Sequence, residues 1–408
     1  MESIRGLAAV QVLLLHVFNA FWPELVSENV TGGFGWYVHL SPLFFLYDGH
    51  AAVYVFFVLS GYVLSRSFAS HLDHPLALIA ARAVRLGLPA LAAVLISAAL
   101  IAILGRPNVE AGTLTGSEWF TSWRFTDMSA LSILRDGIGN ALVVGYREFS
   151  SVGLLSPWQQ PLHESFVPPL WTLSIEFYGS LLVLSLCLCA RQPRSRWWTA
   201  VILMSIFTIR STYVCFVVGH LLANWRRAER PAPASPVLPI MAVAFGVFLC
   251  VRSEAWQLQW IRTLCDDPAF GLFPGQSAAR QQKMCGAMLV LIGLIHLHSV
   301  RSALSWPPLV RLSRLSFPLY LVHWPVLFGP AALVFLGLNG VIGLELARLG
   351  AVVAAIGLAY AGALLFSPID RTTLALCRRW REHLSGKKPE AALERLAPDP
   401  ISAKSGYA

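Results

Sequence analysis

Apolar runs close to 20 residues long recur between residues 4 and 366 of this chain. About 20 apolar residues is what an α-helix needs to cross the ~30 Å hydrocarbon core of a bilayer. Backbone polar groups in lipid must be satisfied internally, which leaves helices or a closed barrel as the spanning structures. The runs are continuous rather than alternating, so helices are expected. Only 13% of the residues are charged, against about 25% in soluble domains. The expected fold class is therefore all-α: a polytopic integral membrane bundle of about ten transmembrane helices.

Taken in order, the expected spans are 4–21, 44–65, 86–104, 169–190, 197–209, 211–225, 237–254, 284–300, 315–336 and 341–366. They form one membrane domain, 1–366, followed by a basic tail, 367–408, expected to be cytoplasmic and partly disordered. A basic turn from Arg66 through Arg85 is expected ahead of the third span. Two long loops, 105–168 and 255–281, interrupt the series, and residues 131–146 read as an amphipathic or re-entrant helix. With the N-terminus inside, roughly two thirds of the 31 Lys and Arg fall in cytoplasmic segments, as the positive-inside rule requires. This predicts N-in and C-in. The same distribution explains the net charge of +9 without nucleic acid. The N-terminus is similar to a signal peptide but lacks a small-x-small cleavage site, so it reads as a retained first span.

Several classes are excluded by what is missing. The seven cysteines form no CxxC and no zinc spacing, so no metal site is expected, and most lie in spans where cysteine acts as a small hydrophobe. Whether Cys265 and Cys285 pair stays open. No glycine-rich nucleotide loop or G-x-S-x-G elbow occurs. No internal repeat marks an inverted-repeat transporter.

The informative residues are ionisable groups inside spans, where burial in lipid is costly. Arg5 and His16 lie 11 residues apart on one stripe of the first span, separated by roughly 16 Å of helix rise. Taken alone, His16 reads equally as a packing histidine. Arg82 and Arg85 form an RxxR on one helix face, able to hold phosphates, or to act as a positive-inside anchor. Glu176 sits two turns into the fourth span and requires a cation or polar partner, with His16, Arg348 or a substrate hydroxyl as candidates. Tyr320 and His323 share a face of the ninth span just before Pro325, a kink or a cavity wall. Ser60-Gly61 reads first as a small pair allowing close helix approach. Asp48 and His50, at the outer start of the second span, read as solvated. His220 reads as packing, and His296 and His298 as interfacial.

Five motifs then coincide. They are Arg5-Gly-Leu-Ala with His16, Val55-Phe-Phe-Val-Leu-Ser60-Gly-Tyr62, Arg82-x-x-Arg85 with Pro89, Trp171-Thr-Leu-Ser-Ile-Glu176, and Ser316-Phe-Pro-Leu-Tyr320-Leu-Val-His323. In this order, over 4–366, they resemble the acyltransferase 3 family of polytopic membrane acyltransferases. Two departures touch span packing: Tyr54 stands where the family often has an acidic residue, and Phe317-Pro318 precede the Tyr-x-x-His. The resemblance implies a membrane O-acyltransferase that moves an acyl group, usually acetyl, from acyl-CoA to a hydroxyl of a cell-envelope or exported glycan. Acyl-CoA is then a co-substrate and no bound cofactor is expected.

On that reading His16 is the general base or an acyl carrier, and Arg5 is essential. Glu176 or His323 orients His16 or the acceptor. Arg82 and Arg85, with Tyr320 and Ser60, hold the donor. The expected partners are acyl-CoA, the glycan acceptor and the bilayer, with no nucleic acid; the oligomeric state is open. A reading of another class, a permease or flippase for a lipid-linked sugar, also accounts for intramembrane His, Glu and Arg. Acceptor identity and acyl length are not encoded in any motif.

Overall fold

The computed structural model describes residues 2–26, 33–123, 127–227, 235–251 and 275–384. Among them every regular element is helical, and the only β contacts are isolated bridges from Tyr146 to Phe149 and Gln160. The principal helices are α1 (Glu2–Phe21), α2 (Gly49–Phe68), α3 (Pro75–Leu104), α4 (Pro107–Thr115), α5 (Trp171–Cys189), α6 (Arg194–Thr208), α7 (Val214–Arg227), α8 (Val237–Val251), α9 (Ala278–His296), α10 (Pro307–Arg314), α11 (Ser316–Val326), α12 (Ala332–Ile342) and α13 (Leu344–Leu384).

Among the described residues, six segments are long and apolar enough to cross a membrane: Ser3–Phe21, Gly49–Phe68, Pro75–Leu104, Pro168–Cys189, Ser316–Ile342 and Leu344–Trp380. They coincide with the first four and last two expected spans. Helices also form at the four intervening expected spans. Three of these have 14 or 15 described residues, about 22 Å at 1.5 Å per residue, and two of them, ending at Arg227 and Val251, run up to the limit of the described residues.

Three boundaries differ from the sequence expectation, each for a local reason. The second span begins at Gly49, not 44, because Pro42–Tyr47 forms a 3-10 turn and the Asp48 carboxylate caps the backbone N–H groups of His50 and Ala51 at 3.1 Å. The expected basic turn ending at Arg85 is much shorter. Pro75 occupies the first helical turn, where its missing N–H costs nothing, and an apolar Leu-Ala-Leu-Ile-Ala-Ala run follows. Arg82 and Arg85 therefore lie inside a 30-residue helix. Finally, α13 continues past residue 366 to Leu384 and through Pro368, so the first part of the expected tail is helical. The remainder of the tail, most of the 255–281 loop and Cys265 lie outside the described residues.

α1 packs against α2, α10, α11 and α13, so the polar stripe of the first span faces protein on several sides. α2 meets α7 at backbone distance. A Cβ on Gly61 would collide with the carbonyl of Phe216, and one on Gly219 with that of Val58. The Ser60-Gly61 pair thus does serve close helix approach. The 105–168 segment is fastened from within by Asp136, which is 1% exposed. Its carboxylate accepts from Tyr146 Oη (2.7 Å), Gln160 Nε2 (3.0 Å), Ser165 Oγ (3.1 Å) and the Phe166 amide (2.8 Å). Four donors on one buried carboxylate satisfy the requirement that a buried charge be fully hydrogen-bonded. Residues 130–144 form a short α-helix running into a π-helix, the irregular helix expected there.

His220 is buried and bonded to Ser65 (2.8 Å), Trp197 (3.3 Å) and Asn224 (3.1 Å), in keeping with a packing role. Arg348 is held at the far end of α1, by Glu24 and Glu345 (3.3 Å each) and the Thr115 carbonyl (2.9 Å). It is therefore not the partner of Glu176.

Candidate active site

The site is two cavities meeting at a common wall. The first, the arginine cavity, is lined by Arg5, Val53, Phe56, Ser60, Glu176 and Tyr320, among others, and encloses about 440 Å³ counted with its mouth. Glu176 comes from the second turn of α5 and forms an ion pair with Arg82. Ser60 Oγ donates to the same carboxylate at 2.9 Å. Both charged side chains are largely buried, 15% exposed for Arg82 and 19% for Glu176, which a charge tolerates only when paired. Arg5 enters from the first turns of α1. The adjoining Gly6 lets that helix touch the backbone at Ser313, where a Cβ would be 2.9 Å from the amide nitrogen. Arg85, one turn from Arg82, turns to Asp370 of α13 and lies 4.6 Å over the Phe317 ring, itself a wall of the cavity. The two RxxR arginines thus anchor α3 to two different helices.

The second, the histidine cavity, encloses about 590 Å³ counted the same way. Its walls include His16, His50, Trp119, Trp123, Trp171 and Trp324. His16 is sandwiched: its ring lies parallel to Trp119 (centroids 5.6 Å, 8°) and edge-on to Trp324 (5.4 Å, 80°). His16 Nδ1 is 3.0 Å from His323 Nε2, and the two rings are 15° from parallel. His323 is 1% exposed, and its Nδ1 lies 3.2 Å from the Leu319 carbonyl. Pro325 just beyond interrupts the α11 ladder, and a π turn at Leu327–Ala331 follows. Such breaks re-aim side chains within a helix.

These contacts define where the protons sit. A carbonyl only accepts, so His323 Nδ1 carries hydrogen. In a neutral ring the other nitrogen is then bare, and His323 Nε2 accepts from His16 Nδ1–H. His16 Nε2 is left with a free lone pair. Because the facing nitrogens share a single hydrogen bond, the pair has room for one proton between the rings. A buried backbone carbonyl thereby fixes the basic tautomer of a histidine two contacts away.

Val53 and Tyr320 line both cavities. The Tyr320 hydroxyl donates to the Pro169 carbonyl at 2.6 Å and lies 2.8 Å from Thr172 Oγ1, so α11 and the start of α5 together hold the ring as a partition. Arg5 and His16 end on opposite sides of it. The roughly 16 Å of α1 between them therefore bridges two chambers.

Of the residues singled out in the sequence, Arg5, Ser60, Glu176 and Tyr320 share the arginine cavity, and His16 and His323 meet at the other. Tyr320 touches both. Glu176 contacts Arg82 and Ser60, and the side chain within hydrogen-bond distance of His16 is His323. Arg82 and Arg85 do not line either cavity; Arg82 reaches the site through Glu176.

The sequence reading missed His50 and the tryptophans. Asp48 is fully buried and ion-paired to Lys283 at 3.0 Å, not solvated. It fixes the first turn of α2, from which His50 opens into the histidine cavity. The available signal was geometric: α1 and α2 run antiparallel, His16 lies five residues from the end of one, and His50 lies at the start of the other.

A family model described as an acyltransferase domain matches residues 1–367, nearly all of the described helices. No curated protein and no solved structure matches the chain. With its apolar spans and its five ordered motifs, the chain belongs to the acyltransferase 3 family of membrane acyltransferases.

Proposed function

We propose that the protein transfers an acetyl group from acetyl-CoA to a hydroxyl of a cell-envelope or exported glycan. The observation that carries this reading is the His16–His323–Leu319 chain of contacts beside an aromatic cavity. A neutral imidazole with a bare Nε2 is a general base suited to a hydroxyl, a role worth roughly 10²–10⁴ in rate. Tryptophan faces suit the C–H faces of sugar rings and leave sugar hydroxyls free to meet polar groups. The charged side, with Arg5, suits the phosphate-bearing donor.

In the proposed reaction the donor enters the arginine cavity and its pantetheine arm passes the Val53–Tyr320 partition. The thioester carbonyl reaches His16. Nε2 takes the proton from the acceptor hydroxyl as its oxygen attacks that carbonyl. The C–S bond breaks, and the proton returns to the departing sulfur, giving an O-acetyl ester and CoA thiol. His323 holds His16 in its tautomer throughout. Ser60 and Tyr320 line the donor path, while Arg82 holds the Glu176 carboxylate in the cavity wall and Arg85 braces α3. The shorter helices α6 to α9 would complete about ten crossings, with both termini cytoplasmic and the aromatic cavity toward the outer face of a bacterial inner membrane.

The test compares envelope glycans of wild-type and deletion strains by mass spectrometry, with labelled acetyl-CoA supplied to isolated membranes. The expected result is a loss of one acetyl mass per modified unit in the deletion strain, and label in the wild-type glycan. Unchanged glycan masses together with no acetyl-CoA-dependent label would overturn the reading.

A further inference from the structure

A third cavity adjoins the histidine cavity, and nothing above uses it. Its walls include Arg106, Asn108, Trp123, His163, Ser165 and Trp324, and it encloses about 500 Å³ counted with its mouth. Trp123 and Trp324 line it and the histidine cavity alike. Their rings meet edge-on at 4.9 Å, and Trp324 is itself edge-on to His16 at 5.4 Å. One indole therefore separates the third cavity from the candidate base.

Its polar lining differs from the rest of the site. Arg82, Arg85 and Arg348 all have carboxylate partners. Arg106 and His163 are exposed, and neither side chain has a hydrogen bond or ion pair among the described residues. The Trp123 indole N–H is buried with no acceptor among the described residues. Asn108 spends its amide N–H groups on the carbonyls of Phe120 (2.8 Å) and Trp123 (3.3 Å), which fixes the wall. Ser165 is held by Asp136. Three uncommitted donors thus line a rigid pocket with aromatic walls. A guanidinium with free N–H groups is shaped for phosphate or carboxylate, and an indole donor without an acceptor favours an oxygen-rich ligand.

We infer that this cavity binds a sugar unit bearing a phosphate or carboxylate, adjacent to the acceptor sugar presented to His16. The acceptor is then an anionic glycan at least two units long, or a sugar on a phosphorylated carrier, straddling the Trp123–Trp324 wall. This inference rests on the glycan reading above.

The test titrates purified protein in detergent with N-acetylglucosamine 1-phosphate and with neutral N-acetylglucosamine, following binding by calorimetry. The expected result is at least ten-fold tighter binding of the phosphorylated sugar. The double variant Arg106→Gln/His163→Gln should abolish that preference, while the affinity for acetyl-CoA changes less than two-fold. Competition separates the sources of the anion. Displacement by farnesyl diphosphate but not by inorganic pyrophosphate would support the site as one for a lipid-carrier headgroup, and equal displacement would support a soluble or polymeric glycan. No preference in the wild type, or a preference that survives in the double variant, would overturn the inference and leave Arg106 as an interfacial anchor only. If acetyl-CoA turnover is present but the preference is absent, the subsite fails alone. If the preference is present but acetyl-CoA is not turned over, the site stands and the donor assignment fails.

Discussion

The two cavities that meet at Tyr320 solve the problem of polar groups in a membrane in opposite ways. The arginine cavity is backed by full charges in pairs: its wall residue Glu176, beside Ser60, with Arg82, and, behind the Phe317 wall, Arg85 with Asp370. The histidine cavity uses neutral rings, stacked among tryptophans and tied to a backbone carbonyl. Paired charges are rigid and expensive to disturb, because removing one partner leaves the other uncompensated. A neutral imidazole can take up a proton and return it without breaking an ion pair. On the proposed reading, the charged chamber receives the anionic donor and the neutral one hosts the proton transfer.

The contrast can be broken from the charged side with the largest effect. Glu176→Gln leaves the Arg82 guanidinium without a carboxylate at the centre of α2, α3 and α5. The expected loss is about 3 kcal/mol of stability, the low end for a broken buried pair, read as a fall of several degrees in the thermal midpoint. Adding Arg82→Met should recover part of that loss, which a purely catalytic role for Glu176 would not produce. On the neutral side, His323→Phe should cost roughly 10²-fold in acyl-transfer rate with little change in the thermal midpoint, since base catalysis depends on the tautomer of His16. His323→Gln places an amide oxygen within reach of His16 Nδ1–H and should restore about ten-fold of that rate. Equal rates for the two variants would show that the ring packs against His16 without orienting its proton.

The smallest effect serves as a control on what a charge pair is worth when water reaches it. Asp73 and Arg191 pair at 2.8 Å between exposed side chains. The hydrogen bond and charge of Arg191 hold the Asp73 carboxyl below the usual carboxylate range. A depressed acid contributes stability above its unfolded value and loses that contribution only as pH falls through the lowered one. Asp73→Asn should therefore show no measurable change in thermal midpoint at pH 7 or pH 5, since exposed pairs contribute little.

The sequence made the spans and the charged residues legible because both are local signals. Hydrophobic run length located the six long helices, and the cost of burying charge singled out His16 and Glu176, whereas Arg82 and Arg85 stood out by their i,i+3 spacing at the edge of a span. Pairing was not legible. Glu176 meets Arg82 across 94 residues, and nothing in either stretch distinguishes that partner from Arg348. The boundary at Pro75 was missed because arginines were read as marking a turn. Long side chains can instead lie within a helix when a carboxylate on a neighbouring helix receives them. His50 and the tryptophan cage were missed for a related reason. Trp119 and Trp123 fall in the expected 105–168 loop, where aromatic residues carry no depth signal, and the fold brings them together with Trp171 and Trp324 of two expected spans. The departure at Phe317 acquired a reason: its ring carries Arg85 and walls the arginine cavity.

The central claim is that His16 Nε2 removes the acceptor proton. It is tested most directly by measuring acetyl transfer from labelled acetyl-CoA in membranes containing wild-type protein or His16→Ala, with equal insertion verified by detergent-solubilised yield and thermal midpoint. The expected result for His16→Ala is a loss of at least about 10²-fold in transfer with donor binding retained. Transfer by His16→Ala within a few-fold of wild type would contradict it.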